Sequence, residues 1–314
     1  MSAWLPAAPC TPQTCARHAG AVRAPLPAAL RLLAGCAWTL SGVVCALPVR
    51  LLPGAVRARL VRRWAYGVPR AFGVRVTVRV HSRPASTGGQ LVVANHTSWL
   101  DIPLIASVLP GRMLAKSEVG RWPLLGRLAA LGSTLFIDRD RLRALPEAVT
   151  TIGAALRSGS RVVAFPEGST WCGRGSGGAF RPAVFQAAID TEVPVRPVRI
   201  TYPAAGAVAF VGDDPLAASL WRVVRAAGLT AEVDVLAPIR AGDFVAVSAN
   251  GEPGRRALAR TARAAVLGAG RATTAPAAAV AQAAVAQAAV TRTAVAQTAV
   301  ARDSANRPAA SVHH

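Results

Sequence analysis

The sequence predicts an α/β fold: a single mixed-sheet domain with flanking helices, preceded by an N-terminal membrane-associated helical segment. Three observations carry this. Apolar runs of strand length recur between residues 74 and 200 with longer stretches between some of them, the alternation that builds a sheet with crossovers. Ahead of them, Leu32 to Val49 is 18 residues without a charge, bracketed by Arg31 and Arg50. Finally, 52% of the 314 residues are hydrophobic, which supplies a sizeable core for one domain of about 200 residues.

In chain order, residues 1–27 are rich in Pro and Ala without periodicity and are expected to be a flexible leader. Residues 28–70 form the apolar and basic membrane-associated segment. Its uncharged run is slightly shorter than the ~20 residues of a spanning helix, so it either crosses the bilayer or dips in and returns. No Asp or Glu precedes Asp101, whereas twelve arginines do, and an anionic membrane surface attracts such a one-signed segment. Arg50, Arg57, Arg59, Arg62 and Arg63 follow the run closely, against Arg17, Arg23 and Arg31 before it. The basic-side rule then places the following domain on the cytoplasmic face of the cytoplasmic membrane. Leu33-Ala34-Gly35-Cys36 resembles a lipoprotein cleavage site, but Arg31 lies just before it and apolar sequence continues beyond Cys36, unlike a processed signal.

Residues 71–269 are the globular domain. Val74, Val76, Val78 and Val80 alternate with Arg75, Thr77 and Arg79, a period of two that predicts a half-exposed opening strand. Further strands are expected at 91–94, 113–115, 135–137, 162–165, 195–200, 208–212 and 231–237, and helices at 142–156, 215–227 and 255–267. Residues 270–314 are a low-complexity Ala/Val/Gln tail in which Val280, Val285, Val290, Val295 and Val300 recur every five residues. Five residues advance a helix by about 500°, so these valines form no single stripe and the tail is expected to be solvent-exposed.

The net charge of +21 raises nucleic acid as a partner, but Lys116 is the only lysine, and heavy Arg, Ala, Gly and Pro usage reads as compositional bias. Aromatics are only 5%, there is no helix-turn-helix or basic-aromatic platform, and no nucleic-acid partner is expected. A non-catalytic cationic binding protein remains the contrasting class. The five cysteines, Cys10, Cys15, Cys36, Cys45 and Cys172, are odd in number and contain no CxxC pair, so neither a disulfide framework nor a metal site is expected.

The chemistry-bearing stretch is Asn95-His96-Thr97-Ser98-Trp99-Leu100-Asp101, directly after the strand at 91–94. On a continuous helix His96 and Asp101 diverge by about 140°, but a turn between them brings them together. If the helix starts near Ser98, Asp101 lies in its first turn and tilts back toward His96. The carboxylate then fixes the imidazole tautomer and frees the other ring nitrogen to take a proton. Ser98-x-x-Asp101 also reads as a capping box, which is compatible with that role.

The order of motifs resembles the glycerolipid acyltransferase family, which includes 1-acyl-sn-glycerol-3-phosphate acyltransferases, from about Val74 to Thr201. Asn95, His96 and Asp101 match its first motif, and Leu135-Phe136-Ile137-Asp138-Arg139 its second. Phe165-Pro166-Glu167-Gly168-Ser169-Thr170 match the third and Val193-Pro194-Val195-Arg196-Pro197-Val198 the fourth. The resemblance implies a single-step transfer from acyl-CoA or acyl-carrier protein to a lysophospholipid, with His96 as base and Asp101 as its partner. No further cofactor and no covalent enzyme intermediate are implied.

Asn95, Ser98, Arg139, Glu167, Gly168, Ser169 and Thr170 are then expected around the acceptor, with Arg139 on its phosphate. Many relatives carry an arginine where this chain has Thr170. Arg174 or Arg181 would supply the missing cation, or the acceptor lacks a simple phosphate. Glu-Gly-Ser-Thr followed by Phe180-Arg181-Pro182 also resembles acyltransferases of lyso-ornithine lipids. A thioesterase is the competing enzyme reading, but the chain has no GxSxG elbow. Residues 173–178 lack the ending of a nucleotide-phosphate loop.

Overall fold

The computed structural model describes residues 8–82, 88–122, 125–138, 142–175, 177–245 and 253–268. The expected tail at 270–314 lies outside the described residues. The first described elements are a short turn of helix, α1 (Pro12–Cys15), then α2 (Pro25–Arg50) and α3 (Gly54–Ala71). The sheet and its flanks follow as β1 (Arg75–Val80), β2 (Gln90–Ala94), α4 (Asp101–Val108), β3 (Arg112–Lys116), α5 (Leu125–Leu131) and β4 (Leu135–Ile137). Then come α6 (Leu145–Arg157), β5 (Arg161–Ala164), α7 (Ala183–Asp190), β6 (Val195–Thr201) and α8 (Ala205–Val208). The described domain closes with α9 (Leu216–Arg225), β7 (Thr230–Val235) and α10 (Gly254–Gly268).

Among the described residues, seven strands form one mixed sheet in the order β1-β7-β6-β2-β5-β3-β4. Every neighbouring pair is parallel except β6 with β7. β2 sits at the centre and is buried along its whole length, as its continuous Leu91-Val92-Val93-Ala94 run requires of a strand covered on both faces. Its period-two pleat sends Val92 and Ala94 into one core, with Phe72, Leu100, Leu104 and Val223, and Leu91 and Val93 into the other, with Ile152, Phe185 and Leu258. Because β6, β2, β5 and β3 run the same way, their carboxyl ends share one edge, where α/β sheets place ligand sites.

The uncharged run belongs to a longer helix than its own length. α2 spans 26 residues at a mean hydropathy of 1.9 in its most apolar window, only 6% of which is buried, so by length and composition it can cross a membrane. α3 folds back on it through a reciprocal pair: Trp38 Nε1 donates to the Trp64 carbonyl and Trp64 Nε1 to the Trp38 carbonyl, both at 3.0 Å. α3 in turn packs on α4 and β1, so the apolar hairpin is mounted on one face of the sheet.

Two expectations change. The leader is described from Ala8 onward and is partly tied down rather than free: Val22 bridges to Ala226, Arg23 N–H donates to the Arg225 carbonyl at 2.7 Å, and the Arg23 side chain donates to the Val224 carbonyl at 3.0 Å. Its many prolines mask this, because a strap held by a partner distant in sequence has no periodicity of its own. The run 208–212 is not a strand. Ala209 N–H closes α8 on Ala205 and Phe210 N–H donates to the Thr97 carbonyl at 3.0 Å, so the run forms a loop in which Val208, Ala209 and Val211 are buried. A short apolar run reports burial, not the partner of its backbone. β1 is also more exposed than expected, with Val78 and Val80 open at the sheet edge.

Two glycines test the packing with opposite signs. A Cβ on Gly89 would stand 2.0 Å from the Leu156 carbonyl oxygen, a backbone atom, whereas one on Gly153 inside α6 meets nothing closer than 3.5 Å. Gly89→Ala is expected to lower unfolding stability by about 1–3 kcal/mol. Gly153→Ala should raise it by about 0.5–1 kcal/mol through helix propensity. Urea unfolding of the detergent-solubilised chain measures both.

Candidate active site

β2 ends at Ala94, and Asn95 completes the sheet beyond it. Its amide donates to the Ile200 carbonyl at 2.8 Å and accepts the Ile200 N–H at 2.9 Å, so a side chain replaces the next rung between β2 and β6. The chain then turns sharply through His96, Thr97 and Ser98 into α4.

The turn is organised around the fully buried Asp101. One carboxylate oxygen, Oδ2, accepts Thr97 N–H at 2.7 Å and Ser98 N–H at 2.8 Å, and lies 2.8 Å from His96 Nδ1. The other, Oδ1, accepts the Tyr202 hydroxyl at 2.5 Å. A carboxylate beside Nδ1 makes that nitrogen the donor and leaves Nε2 as the basic atom. Burial and the adjoining Asp101 charge raise the Tyr202 hydroxyl well above its usual range, so it keeps its proton and donates it.

The imidazole is fixed on its remaining sides. Phe165 stacks against it with ring centroids 4.0 Å apart and planes 15° apart. The His96 backbone N–H donates to Glu167 Oε2 at 2.7 Å, and its carbonyl accepts Trp171 N–H at 2.8 Å. Glu167 Oε1 accepts Gly178 N–H at 3.0 Å. Burial pushes the Glu167 carboxyl up to about 7, against the lowering influence of those two N–H donors. His96 keeps 18% of its side chain exposed while Asp101 keeps none, so the dyad opens to solvent only through the imidazole. It opens into a cleft lined by His96, Glu167, Trp171, Arg199 and Arg263.

The acyltransferase family profile matches residues 75–201. The lyso-ornithine lipid O-acyltransferase of Pseudomonas aeruginosa is 36% identical over 200 residues, covering 60% of this chain and 74% of that protein. The chain belongs to the acyltransferase family. The 1-acyl-sn-glycerol-3-phosphate acyltransferase of Neisseria meningitidis serogroup B is 35% identical over 185 residues, 57% of this acyltransferase and 71% of that one. The crystal structure of the 1-acyl-sn-glycerophosphate (LPA) acyltransferase PlsC from Thermotoga maritima aligns with a TM-score of 0.58 at 19% identity. It covers 80% of this chain and 97% of that one, and shows the same fold.

Within this acyltransferase the residues singled out by sequence take different places. His96 and Asp101 meet as expected, and Asn95 and Glu167 stand beside them, but Glu167 spends both oxygens on backbone N–H groups rather than on a hydroxyl or arginine. Ser98 is fully buried and accepts Leu100 N–H at 3.3 Å, which makes it part of the turn and not of the cleft lining. Only half of the capping box forms: Asp101 reaches back to Ser98 N–H, while α4 starts at Asp101 itself. Gly168 adopts a φ of +77°, the left-handed turn that follows Phe165-Pro166-Glu167. Ser169 and Thr170 are half-buried and are not among the cleft-lining residues, and the Ser169 hydroxyl is buried and unpartnered.

Arg139 lies outside the described residues. Arg174 and Arg181 are exposed and do not line the cleft; Arg199 and Arg263 do. Arg199 Nε donates to Thr201 Oγ1 at 3.1 Å while its Nη1 has no partner, and Arg263 Nε donates to the Gly178 carbonyl at 2.8 Å. Tyr202, Arg199 and Arg263 were not legible as site residues, and Phe165 stood in the third motif without a role. The nearest signal was that Arg199 immediately follows the Val193–Val198 motif and Tyr202 lies four residues beyond it.

Tyr202→Phe removes one hydrogen bond to a buried charge and is expected to cost about 1.5–3 kcal/mol in unfolding stability. Thermal and urea unfolding measure it. Glu167 gives a pH test. The folded chain holds its proton up to about pH 7, against an ordinary value of 4.5, so it binds more protons than the unfolded chain across that window. Stability therefore falls as pH rises from 4.5 through 7. Glu167→Gln should remove that part of the decline, so the stability gap between wild type and variant changes across the window and is flat above it.

Proposed function

We propose that this acyltransferase moves a fatty acyl group from acyl-CoA or acyl-carrier protein to the free hydroxyl of a lysophospholipid, 1-acyl-sn-glycerol-3-phosphate, giving phosphatidic acid. The observation that carries this is the oriented dyad: His96 Nδ1 is held by Asp101 and Nε2 is left free in a cleft that also holds Arg199 and Arg263. His96 Nε2 takes the acceptor hydroxyl proton as that oxygen attacks the thioester carbonyl. The ester C–O bond forms, the C–S bond breaks, and the imidazolium returns its proton to the departing thiolate. Asp101 stabilises the imidazolium in between. A thiol with a pKa near ~8.5 leaves more readily than an alkoxide, so the reaction needs neither an enzyme-bound acyl group nor a cofactor.

The two arginines suit an acceptor that carries an anionic head, because guanidinium groups pair with phosphate or carboxylate oxygens through paired N–H donors. The apolar α2 and the basic residues after it would hold the domain on an anionic membrane surface, on the cytoplasmic side of the cytoplasmic membrane, where both substrates meet. A second acceptor, a lyso-ornithine lipid, is favoured by Thr170 in place of the arginine after Glu167-Gly168 and by the similarity to the Pseudomonas aeruginosa protein.

Transfer of labelled acyl groups by the membrane-reconstituted protein tests the proposal, with lysophosphatidate, glycerol 3-phosphate and lyso-ornithine lipid offered in parallel. Product from lysophosphatidate is expected, reduced by about 10²–10⁴ in His96→Ala. Product from lyso-ornithine lipid alone would transfer the assignment to the second acceptor. Undiminished transfer in both His96→Ala and Asp101→Ala would refute the dyad.

A further inference from the structure

The five cysteines, unremarkable along the chain, are unevenly placed in space. Cys36 and Cys45 lie on α2, but Cys10, Cys15 and Cys172 converge, with their three Sγ atoms all within 4.8 Å of one another. Cys10 precedes α1 and Cys15 is its last residue, both in the N-terminal strap, and Cys172 comes from the loop after Glu167, more than 150 residues away. Cys10 and Cys172 are buried against Ala209 and Val211, and Cys15 is partly exposed beside them. Three sulfurs around a common centre at the zinc–thiolate distance of about 2.3 Å stand about 3.8–4.0 Å apart, a spacing this triangle can adopt by small side-chain rotations.

We propose that Cys10, Cys15 and Cys172 form a three-thiolate site for a thiophilic divalent metal ion of the zinc class, which pins the N-terminal strap to the loop beneath the active site. Two features favour a metal over three free thiols. Thr14 Oγ1 donates to the Cys15 sulfur at 3.5 Å, and such a donor favours the thiolate, the form that binds metal. The sulfurs sit against a wall of small apolar side chains, Ala209 and Val211 among them, where thiolate charge without a counter-ion would be desolvated. A divalent ion replaces the thiol protons, which leave to solvent, and offsets the desolvated negative charge. Among the described residues no His, Asp or Glu joins the cluster, so the fourth position is open to water or an added ligand.

The consequence is structural. Trp171, next to Cys172, donates its backbone N–H to the His96 carbonyl and lines the cleft, so anchoring Cys172 steadies one wall of the site without touching the reacting atoms. The ion is not assigned a step in acyl transfer.

The test uses the full-length protein, purified under reducing conditions without chelator, with metal content measured by mass spectrometry. One zinc per chain is expected. Cobalt reconstitution should give a sulfur-to-cobalt charge-transfer band, and zinc removal should lower the thermal unfolding midpoint. Each of Cys10→Ser, Cys15→Ser and Cys172→Ser should weaken binding by tenfold or more, while the Cys36→Ser/Cys45→Ser double variant keeps it. Wild-type protein that holds no zinc and takes up none with its thiols reduced overturns the proposal. So does a disulfide between any two of the three, trapped by thiol blocking at lysis, in place of bound metal. Stoichiometric metal that survives the triple serine variant overturns it as well.

Discussion

Asp101 is the residue around which the site is assembled. Its two oxygens accept four donors that come from three places: the His96 ring, the backbone of the turn that follows β2, and Tyr202 beyond β6. A fully buried carboxylate is costly unless its lone pairs are filled, and here the same donors that satisfy it also define the turn. The tight turn, the imidazole tautomer and the docking of Tyr202 are thus one interaction seen from three sides. Moving any of them leaves a charge buried without its partners.

The sheet makes that convergence possible. β6, β2 and β5 are adjacent and parallel, so the residues following them emerge together: Tyr202, His96 and Glu167 are far apart in sequence and neighbours in space. Glu167 holds the His96 backbone N–H, where Asp101 holds the His96 ring. Its two N–H partners tie the His96 turn to the loop ending at Gly178, which carries Trp171 and Cys172. The N-terminal strap reaches that loop as well, through Cys10 and Cys15. A segment that precedes the apolar helix is in this way connected to the wall of the cleft.

Much of the fold was legible because its signals are local. The alternation at Val74–Val80, the buried run at Leu91–Ala94 and the helix lengths after Leu142 each follow from the side-chain period of one element. The run at 208–212 misled for the same reason: its apolar residues are buried, but the groups that accept its N–H bonds belong to α8 and to Thr97, which periodicity cannot report. The leader misled because Arg23 finds its partners at the end of α9 and Val22 at Ala226 just beyond it, some two hundred residues later.

The dyad of His96 and Asp101 was determined by sequence, since five residues and a turn bring these groups together whatever surrounds them. So were the apolar segment and its basic flank, the central buried strand and the family. Tertiary structure alone decided which cations reach the cleft. In a chain whose positive charge is almost all arginine, nothing linear separates Arg199 and Arg263 from Arg174 and Arg181; strand order and the packing of α10 on β6 do. It also decided that Tyr202 completes the carboxylate's partners and that three of five cysteines meet. Each of these depends on the crossing of distant elements, and the period of a helix or strand carries information about its own faces but none about what will be placed against them.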